Sequence, residues 1–125
     1  MSAIFFSLIT TLFSINTPTL PPVSMVEWTK GVEHDFGLIP RGRPVYHAFV
    51  FKNISSDTLR VETVRTTCGC TAAEWTESPI APGAEGTLSI EYDAYKTGHF
   101  QKKIRVFFDR QRKAEFLSIE GEVSP

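Results

Sequence analysis

From residue 26 onward, apolar and polar side chains alternate with a period of two, and no helical period is sustained. Residues 45–53 show this most clearly, because Val45, His47, Phe49 and Phe51 share one parity while the side chains between them share the other. Successive side chains of a strand point to opposite faces of its sheet. The pattern therefore predicts a strand whose Phe-bearing face points to the core.

Further strands are predicted where the alternation recurs between Pro and Gly turns. They cover residues 32–36 (ended by Gly37), 59–64, 72–75, 88–92, 100–108 and 116–123, with turns at 40–44, 53–57 and 79–83. Leu59 and Val61 are in phase, but the next apolar residue is Val64. This slip predicts a β-bulge at residues 62–63, shortly before Cys68.

The number and spacing of these segments predict the fold class. About seven short strands with turn signals every 8 to 12 residues are typical of an immunoglobulin-like antiparallel β-sandwich. We therefore expect an all-β domain over residues 31–123. The Cys…Trp…Cys spacing of antibody domains is absent, so the predicted sandwich has no disulfide between its sheets.

The first 30 residues have a different composition. Residues 3–15 are mostly apolar, and a Pro-containing stretch follows them. That run is too short for a membrane-spanning helix and suits the apolar region of a signal peptide. We predict that 1–16 is a signal peptide or N-terminal apolar segment, that 17–30 is a linker, and that the chain is exported to the periplasm, cell envelope or exterior. No Lys or Arg precedes Lys30, so an extra apolar strand or helix of the domain is the alternative.

Composition limits the classes of function. The chain has 125 residues, of which 42% are hydrophobic, and this is enough for one globular domain with a core. Its net charge of -1 argues against binding to nucleic acid, and leaves membrane contact only to an uncleaved N-terminal segment. Serine-hydrolase, zinc-protease and phosphate-loop motifs are all missing from the sequence. These features predict a protein without enzymatic activity or a cofactor.

One predicted hairpin carries most of the clustered positive charge. Its cations are Lys102, Lys103, Arg105, Arg110, Arg112 and Lys113. Such a cluster could form an interaction patch for an acidic partner. Alternatively, these charges protect an exposed strand edge against pairing with another chain.

The only two cysteines, Cys68 and Cys70, are separated by Gly69. Residues two apart on a strand point to the same side, and a glycine between them would let the backbone bend until a disulfide can form. A ring of three residues stabilises a fold by only about 1.6 kcal/mol in the chain-entropy treatment. A disulfide here would therefore shape a turn, or serve as a reducible switch, more than it would stabilise the domain.

Two other uses of the cysteine pair stay open. Two thiolates on one side suit Cu(I) or Zn(II) but fill only half of a tetrahedral site, and His99 is the most available of the three histidines to complete it. Thiol redox chemistry is the other possibility. A reactive thiolate needs positive neighbours, and Arg65 is the nearest cation in sequence.

Several segments together resemble a bacterial family known as Domain of Unknown Function 1573. The matching residues are 34–39, 47–53, 64–71 with its Cys-Gly-Cys-Thr run, 79–83 and 98–104. The resemblance covers about residues 31–123. It implies an exported or envelope-associated immunoglobulin-like sandwich with an unknown protein or envelope partner and no agreed biochemical activity.

Overall fold

The computed structural model describes residues 24–125, and these form a sandwich of eight strands. The strands are β1 (Val26–Trp28), β2 (Glu33–Pro40), β3 (Val45–Asn53), β4 (Val61–Thr66), β5 (Thr71–Trp75), β6 (Glu85–Tyr92), β7 (Gly98–Phe108) and β8 (Glu115–Ser124). The first sheet has the order β1-β3-β6-β5, and the second has the order β2-β8-β7-β4. The predicted all-β sandwich is confirmed.

One pairing departs from the predicted antiparallel arrangement. Strand β2 runs parallel to β8, whereas every other strand pair within residues 24–125 is antiparallel. These two strands come from opposite ends of the domain, so no hairpin turn fixes their relative direction. Local turn signals therefore could not predict this pair.

The core lies between the two sheets and is built from their alternating positions. Phe49 and Phe51 of β3 are fully buried, as are Ile104 of β7 and Ile119 of β8. The predicted inward face of β3 is thus confirmed. Trp28 closes one end of the core, where its ring lies 5.4 Å from that of Phe51.

The first strands differ from the prediction. Strand β1 lies within 17–30, the stretch assigned to a linker, and pairs with β3. Three residues are too few to show a clear period, which is why the alternation does not predict it. Strand β2 continues past Gly37, which has a φ of 74° at a register shift between Asp35 and Leu38.

The predicted signal peptide and the first part of the predicted linker lie outside the described residues. Within residues 24–125, no helix is long and apolar enough to cross a membrane.

Strand β4 has a special place in the architecture. The predicted bulge is confirmed, because the register with β7 shifts between Val61 and Thr63. Strand β4 is an edge of the second sheet, and β5 is an edge of the first. Residues 67–70 therefore carry the chain from one sheet to the other, and they include both cysteines.

Candidate functional site

The turn 66–71 brings the two cysteines together. Their sulfur atoms are in contact and their Cα atoms are 5.3 Å apart, within the range that a disulfide spans. Both residues are partly buried, and Cys70 packs against the core. The structure thus places Cys68 and Cys70 as a bonded pair at the point where the chain changes sheets.

Hydrogen bonds fix the main chain of this turn. The Thr66 hydroxyl donates to the carbonyl oxygens of Cys68 at 3.2 Å and Thr71 at 3.4 Å. The Thr71 N–H also donates to the Cys68 carbonyl, at 3.4 Å, and the Asp93 N–H donates to that of Cys70, at 3.0 Å. The turn is therefore held by hydroxyl and main-chain groups in addition to sulfur.

Thr71 is the polar side chain next to the sulfur pair. It is 6% exposed, and its hydroxyl oxygen lies 3.7 Å from the Cys68 sulfur and 3.9 Å from the Cys70 sulfur. Thr71 pairs with Tyr92, whose ring stacks on Phe100 at 3.9 Å. Burial raises the pKa of the Tyr92 hydroxyl, and the negative charge of Asp93 raises it further. In the sequence, the only indication that Thr71 would lie beside the sulfur atoms is that it directly follows Cys70.

Gly69 does not have the conformational role expected of it. Its φ lies outside the left-handed region, and a Cβ added there would meet nothing within 4 Å. A bend that only glycine can adopt is therefore not what brings the cysteines together. Because Gly69 has no side chain, the space next to its Cα is left open.

The structure does not gather a metal site around the cysteines. His99 is 63% exposed and lies 3.7 Å from the Glu120 carboxylate, a salt bridge when the imidazole is protonated. In the part of the chain that the structure describes, no group of three or more His, Cys, Asp or Glu side chains could hold a metal ion. His99 is thus not joined to Cys68 and Cys70 in a ligand set.

Two other histidines meet across the sandwich, which sequence reasoning did not predict. The rings of His34 on β2 and His47 on β3 stack at 3.7 Å with an interplanar angle of 12°. The Nε2 atom of His47 is buried without a hydrogen-bond partner. Burial lowers the pKa of His47, and His34 and Lys30 lower it further through charge repulsion. The sequence indicated only that His47, like Phe49, would face the core.

The predicted basic patch is divided between two places. Lys103 and Arg105 are exposed on the outer face of β7, whereas Lys102 has inward parity and is partly buried. Arg110, Arg112 and Lys113 are exposed in the loop between β7 and β8. These cations are close together in sequence. Because side chains alternate between the two faces of β7, however, Lys102 points to the opposite side from Lys103 and Arg105.

The outer face of the second sheet adds side chains that the sequence did not link to this patch. Arg65 of β4 lies directly opposite Arg105 in the β4–β7 register, and their guanidinium carbons lie 5.8 and 6.0 Å from the centre of the Phe107 ring. Phe116 pairs with Arg105 from the other side and is 60% exposed. We call this surface, formed by Arg65, Lys103, Arg105, Phe107 and Phe116, the basic-aromatic face.

The outer face of the first sheet carries the opposite charge. Its outward positions include Glu27, Glu74, Glu85 and Glu91, against one cation, Lys52. The outer face of the second sheet also carries carboxylates, on β2 and β8: Glu33, Asp35, Glu120 and Glu122. The cations of that face are therefore confined to its β4–β7 side, and this grouping depends on strand pairing and could not be read from composition.

The loop between β7 and β8 is tied to the start of the domain. The Glu115 carboxylate accepts hydrogen bonds from the Trp28 indole at 3.0 Å, the Ser24 hydroxyl at 2.7 Å and the Gln111 amide at 2.7 Å. The Met25 N–H donates to the Gln111 side chain at 2.8 Å. This network fixes the loop that carries the second group of cations.

Comparison with protein families gives a match over most of the chain. Residues 26–123 match the family described as "Protein of unknown function (DUF1573)". A search of curated proteins finds no matching sequence.

Solved structures share the fold at low sequence identity. A PapD-like domain of human CEP192 is 11% identical, with a TM-score of 0.71 over 94% of this chain and 97% of that one. A Porphyromonas gingivalis protein of unknown function is 20% identical, with a TM-score of 0.66, and the match covers 78% of this chain and 46% of that one. The Vibrio cholerae VesB protease is 15% identical, with a TM-score of 0.64 over 78% of this chain and 32% of that one. The chain thus spans less than half the length of the last two, and at these identities the likeness shows the fold alone.

Proposed function

The chain belongs to the family of proteins of unknown function DUF1573, and we propose that it is an exported, non-enzymatic module that binds an acidic protein through its basic-aromatic face. The observation that carries this proposal is the pairing of Arg65 with Arg105 beside the exposed ring of Phe116. Like charges directly opposite each other on neighbouring strands are destabilising. A partner carboxylate placed between the two guanidinium groups would remove that repulsion.

The geometry of this face favours a protein partner. Arg and aromatic residues are enriched at the centres of protein interfaces, because they combine apolar contact area with charged hydrogen bonds. Arg105 and Phe107 lie on β7, which is paired on both sides by β8 and β4. A surface on a paired strand is fixed before binding, so little conformational freedom is lost when the partner docks.

Export is part of the proposal and follows from the sequence. The apolar run at residues 3–15 and the Pro-containing stretch behind it suit a signal peptide. The partner would then be a protein of the periplasm, cell envelope or cell exterior. Fractionation of the native host tests this directly: we expect the chain outside the cytoplasm, and a purely cytoplasmic chain would contradict it.

A crosslinking experiment tests the binding face. A photoreactive amino acid replaces Phe116 in one variant and Tyr46, which is 63% exposed on the outer face of the first sheet, in the matched control. In the native host, we expect a discrete protein adduct from position 116 and not from position 46. Adding Arg105→Glu should remove the adduct, whereas Lys52→Glu should not. Equal adducts from both positions, or no effect of Arg105→Glu, would contradict the proposal.

The alternative role for the cysteine pair is metal binding. A metal would need both thiols reduced and at least one further ligand, and within residues 24–125 no third His, Cys, Asp or Glu side chain is grouped with them. Metal analysis on protein purified from its native compartment distinguishes the two roles. Stoichiometric copper or zinc that is lost in Cys70→Ser would favour the alternative over a binding module.

A further inference from the structure

The turn 66–71 is held by hydrogen bonds as well as by the bond between its two sulfur atoms. The hydrogen bonds from Thr66, Thr71 and Asp93 that fix this turn use hydroxyl and main-chain groups only. Strands β4 and β5 on either side are held by their pairing with β7 and β6. Two reduced thiols would therefore stay side by side, ready to form the bond again.

The bond adds little to folding, so folding does little to oppose its reduction. A disulfide stabilises a protein mainly by restricting the unfolded chain, and the restriction is weakest for the shortest rings. Cys68 and Cys70 are only two positions apart. A disulfide that serves as a structural staple would join residues that are distant in sequence.

The two sulfurs differ in their surroundings. Cys70 packs against the core, whereas Cys68 is not among the residues that do so. Gly69 is exposed and has open space around its Cα. Because Cys70 packs against the core, we expect an approaching thiolate to attack the Cys68 sulfur.

Polar groups lie where a leaving thiolate would need them. The buried Thr71 hydroxyl is 3.7 Å from the Cys68 sulfur and 3.9 Å from the Cys70 sulfur, so it can rotate to donate a hydrogen bond to either one. A hydrogen-bond donor to sulfur favours the thiolate form.

We propose that Cys68 and Cys70 form a reversible thiol–disulfide exchange site, whose reductant is a cysteine pair on a partner protein. A partner thiolate attacks the Cys68 sulfur, the Cys68–Cys70 bond breaks, and Cys70 leaves as a thiolate that takes up a proton. The second thiol of the partner loses its proton and attacks the partner's own sulfur in the mixed disulfide, which releases Cys68 as a thiolate that takes up a second proton. The chain gains two electrons and two protons, and the partner becomes a disulfide. The chain is thus a substrate of this exchange, which is independent of the basic-aromatic face.

The first test measures how the fold affects the equilibrium. The full chain is equilibrated with mixtures of reduced and oxidised glutathione, free thiols are alkylated, and mass spectrometry gives the reduced fraction. We expect full reversibility, an unchanged circular dichroism spectrum, and an equilibrium constant within about tenfold of that in denaturant, since the turn is pre-formed but the ring is small. A native chain that favours the disulfide more than 1,000-fold, or that reduces only on unfolding, would overturn the proposal.

The second test measures access through Gly69. In Gly69→Val the new Cβ would meet nothing within 4 Å beyond its two chain neighbours, and Thr67→Val is the matched control at an exposed position of the same turn. We expect Gly69→Val to slow reduction by reduced thioredoxin at least tenfold and reduction by dithiothreitol less than threefold, while Thr67→Val changes neither. Equal slowing with both reductants, or no slowing with thioredoxin, would contradict a site built for a protein thiol.

The third test asks whether the Thr71 hydroxyl assists the leaving thiolate. Thr71→Val removes the hydroxyl and preserves the shape, whereas Thr71→Ser retains the hydroxyl. We expect the reduction rate to fall about tenfold in Thr71→Val and to be retained in Thr71→Ser, with both variants folded by circular dichroism. The same rate in all three proteins would remove Thr71 from the proposed mechanism.

Discussion

The two turns that flank β4 are built in opposite ways. Before the strand, the turn 53–57 is organised by Asn53, whose side chain is fully buried and fully hydrogen-bonded. After the strand, the turn 66–71 carries a disulfide that constrains the unfolded chain very little. The comparison distinguishes a turn whose side-chain hydrogen bonds the fold requires from a turn whose disulfide contributes little to folding.

The Asn53 amide satisfies groups from two parts of the chain, its own turn and the loop before β6. Its Nδ2 donates to the carbonyls of Asp57 at 2.8 Å and Ile80 at 2.9 Å, and its Oδ1 accepts from the N–H and hydroxyl of Ser55 at 2.9 and 2.7 Å. A buried polar group with all its partners specifies one local structure, because any other arrangement leaves partners unpaired. Asn53 thus joins the end of β3 to the loop before β6.

The largest effect is expected for Asn53→Ala. It removes every one of these side-chain hydrogen bonds from a buried position, so we expect a loss of about 2–3 kcal/mol in the free energy of unfolding. Denaturant unfolding measures it. Ser56→Ala, at an exposed position of the same turn, is the matched control and should change stability by less than about 0.5 kcal/mol. Equal losses in the two variants would mean that Asn53 does not organise the turn.

The second prediction concerns the other turn. Replacing both cysteines, Cys68→Ser with Cys70→Ser, should lower the unfolding free energy by at most about 1.6 kcal/mol, the entropic value of a three-residue ring. The far-UV circular dichroism spectrum should not change, since hydrogen bonds hold the turn. A loss larger than that of Asn53→Ala would reverse the comparison and make the disulfide a structural staple.

Features that depend on neighbouring residues could be predicted from the sequence, whereas contacts between distant residues could not. Strand β3 begins and ends at the predicted residues, and the bulge in β4 lies where the parity slips, because both depend on neighbouring residues. The parallel pairing of β2 with β8 and the contact of His34 with His47 join residues that are distant in sequence. No local pattern encodes such contacts.

For the candidate site, the sequence located the cysteine pair but not its surroundings. The space over Gly69 and the position of the Thr71 hydroxyl depend on the change of sheet between β4 and β5. In the same way, Arg65 meets Arg105 only through strand pairing. Predicting which side chains share a face requires the register of non-adjacent strands, and a single sequence does not supply it.

A smaller loss of stability, which involves neither turn, is expected when the pH is lowered. Burial, His34 and Lys30 hold the pKa of His47 below its ordinary value of 6.5, so between these two pKa values the unfolded chain binds more protons than the folded one. Stability contributed by neutral His47 is therefore complete above pH 6.5 and falls as the pH drops toward the folded pKa.

Denaturant unfolding between pH 7.5 and 5.5 measures this slope. His47→Gln should flatten it. An identical slope in the wild type and His47→Gln would show that another group is responsible. The ring contacts of His47 are with His34 and Phe49, so the Asn53→Ala and double-serine variants should retain the wild-type slope.

The smallest change in stability is expected for a substitution at Gly69, and it is the most direct test of how the turn 66–71 is built. Its φ lies outside the left-handed region and its Cα has free space, so Gly69→Ala restricts only the unfolded chain and should stabilise the protein by about 0.5 kcal/mol. Gly83 is the matched control, because it also has free space but has a φ of 83°. Gly83→Ala should destabilise by about 1 kcal/mol, the cost of a left-handed conformation for a residue with a Cβ. Thermal unfolding compares the two variants. If Gly69→Ala is as costly as Gly83→Ala, the glycine is needed for the backbone of the turn, and open access to the sulfur pair is no longer the reason for its presence.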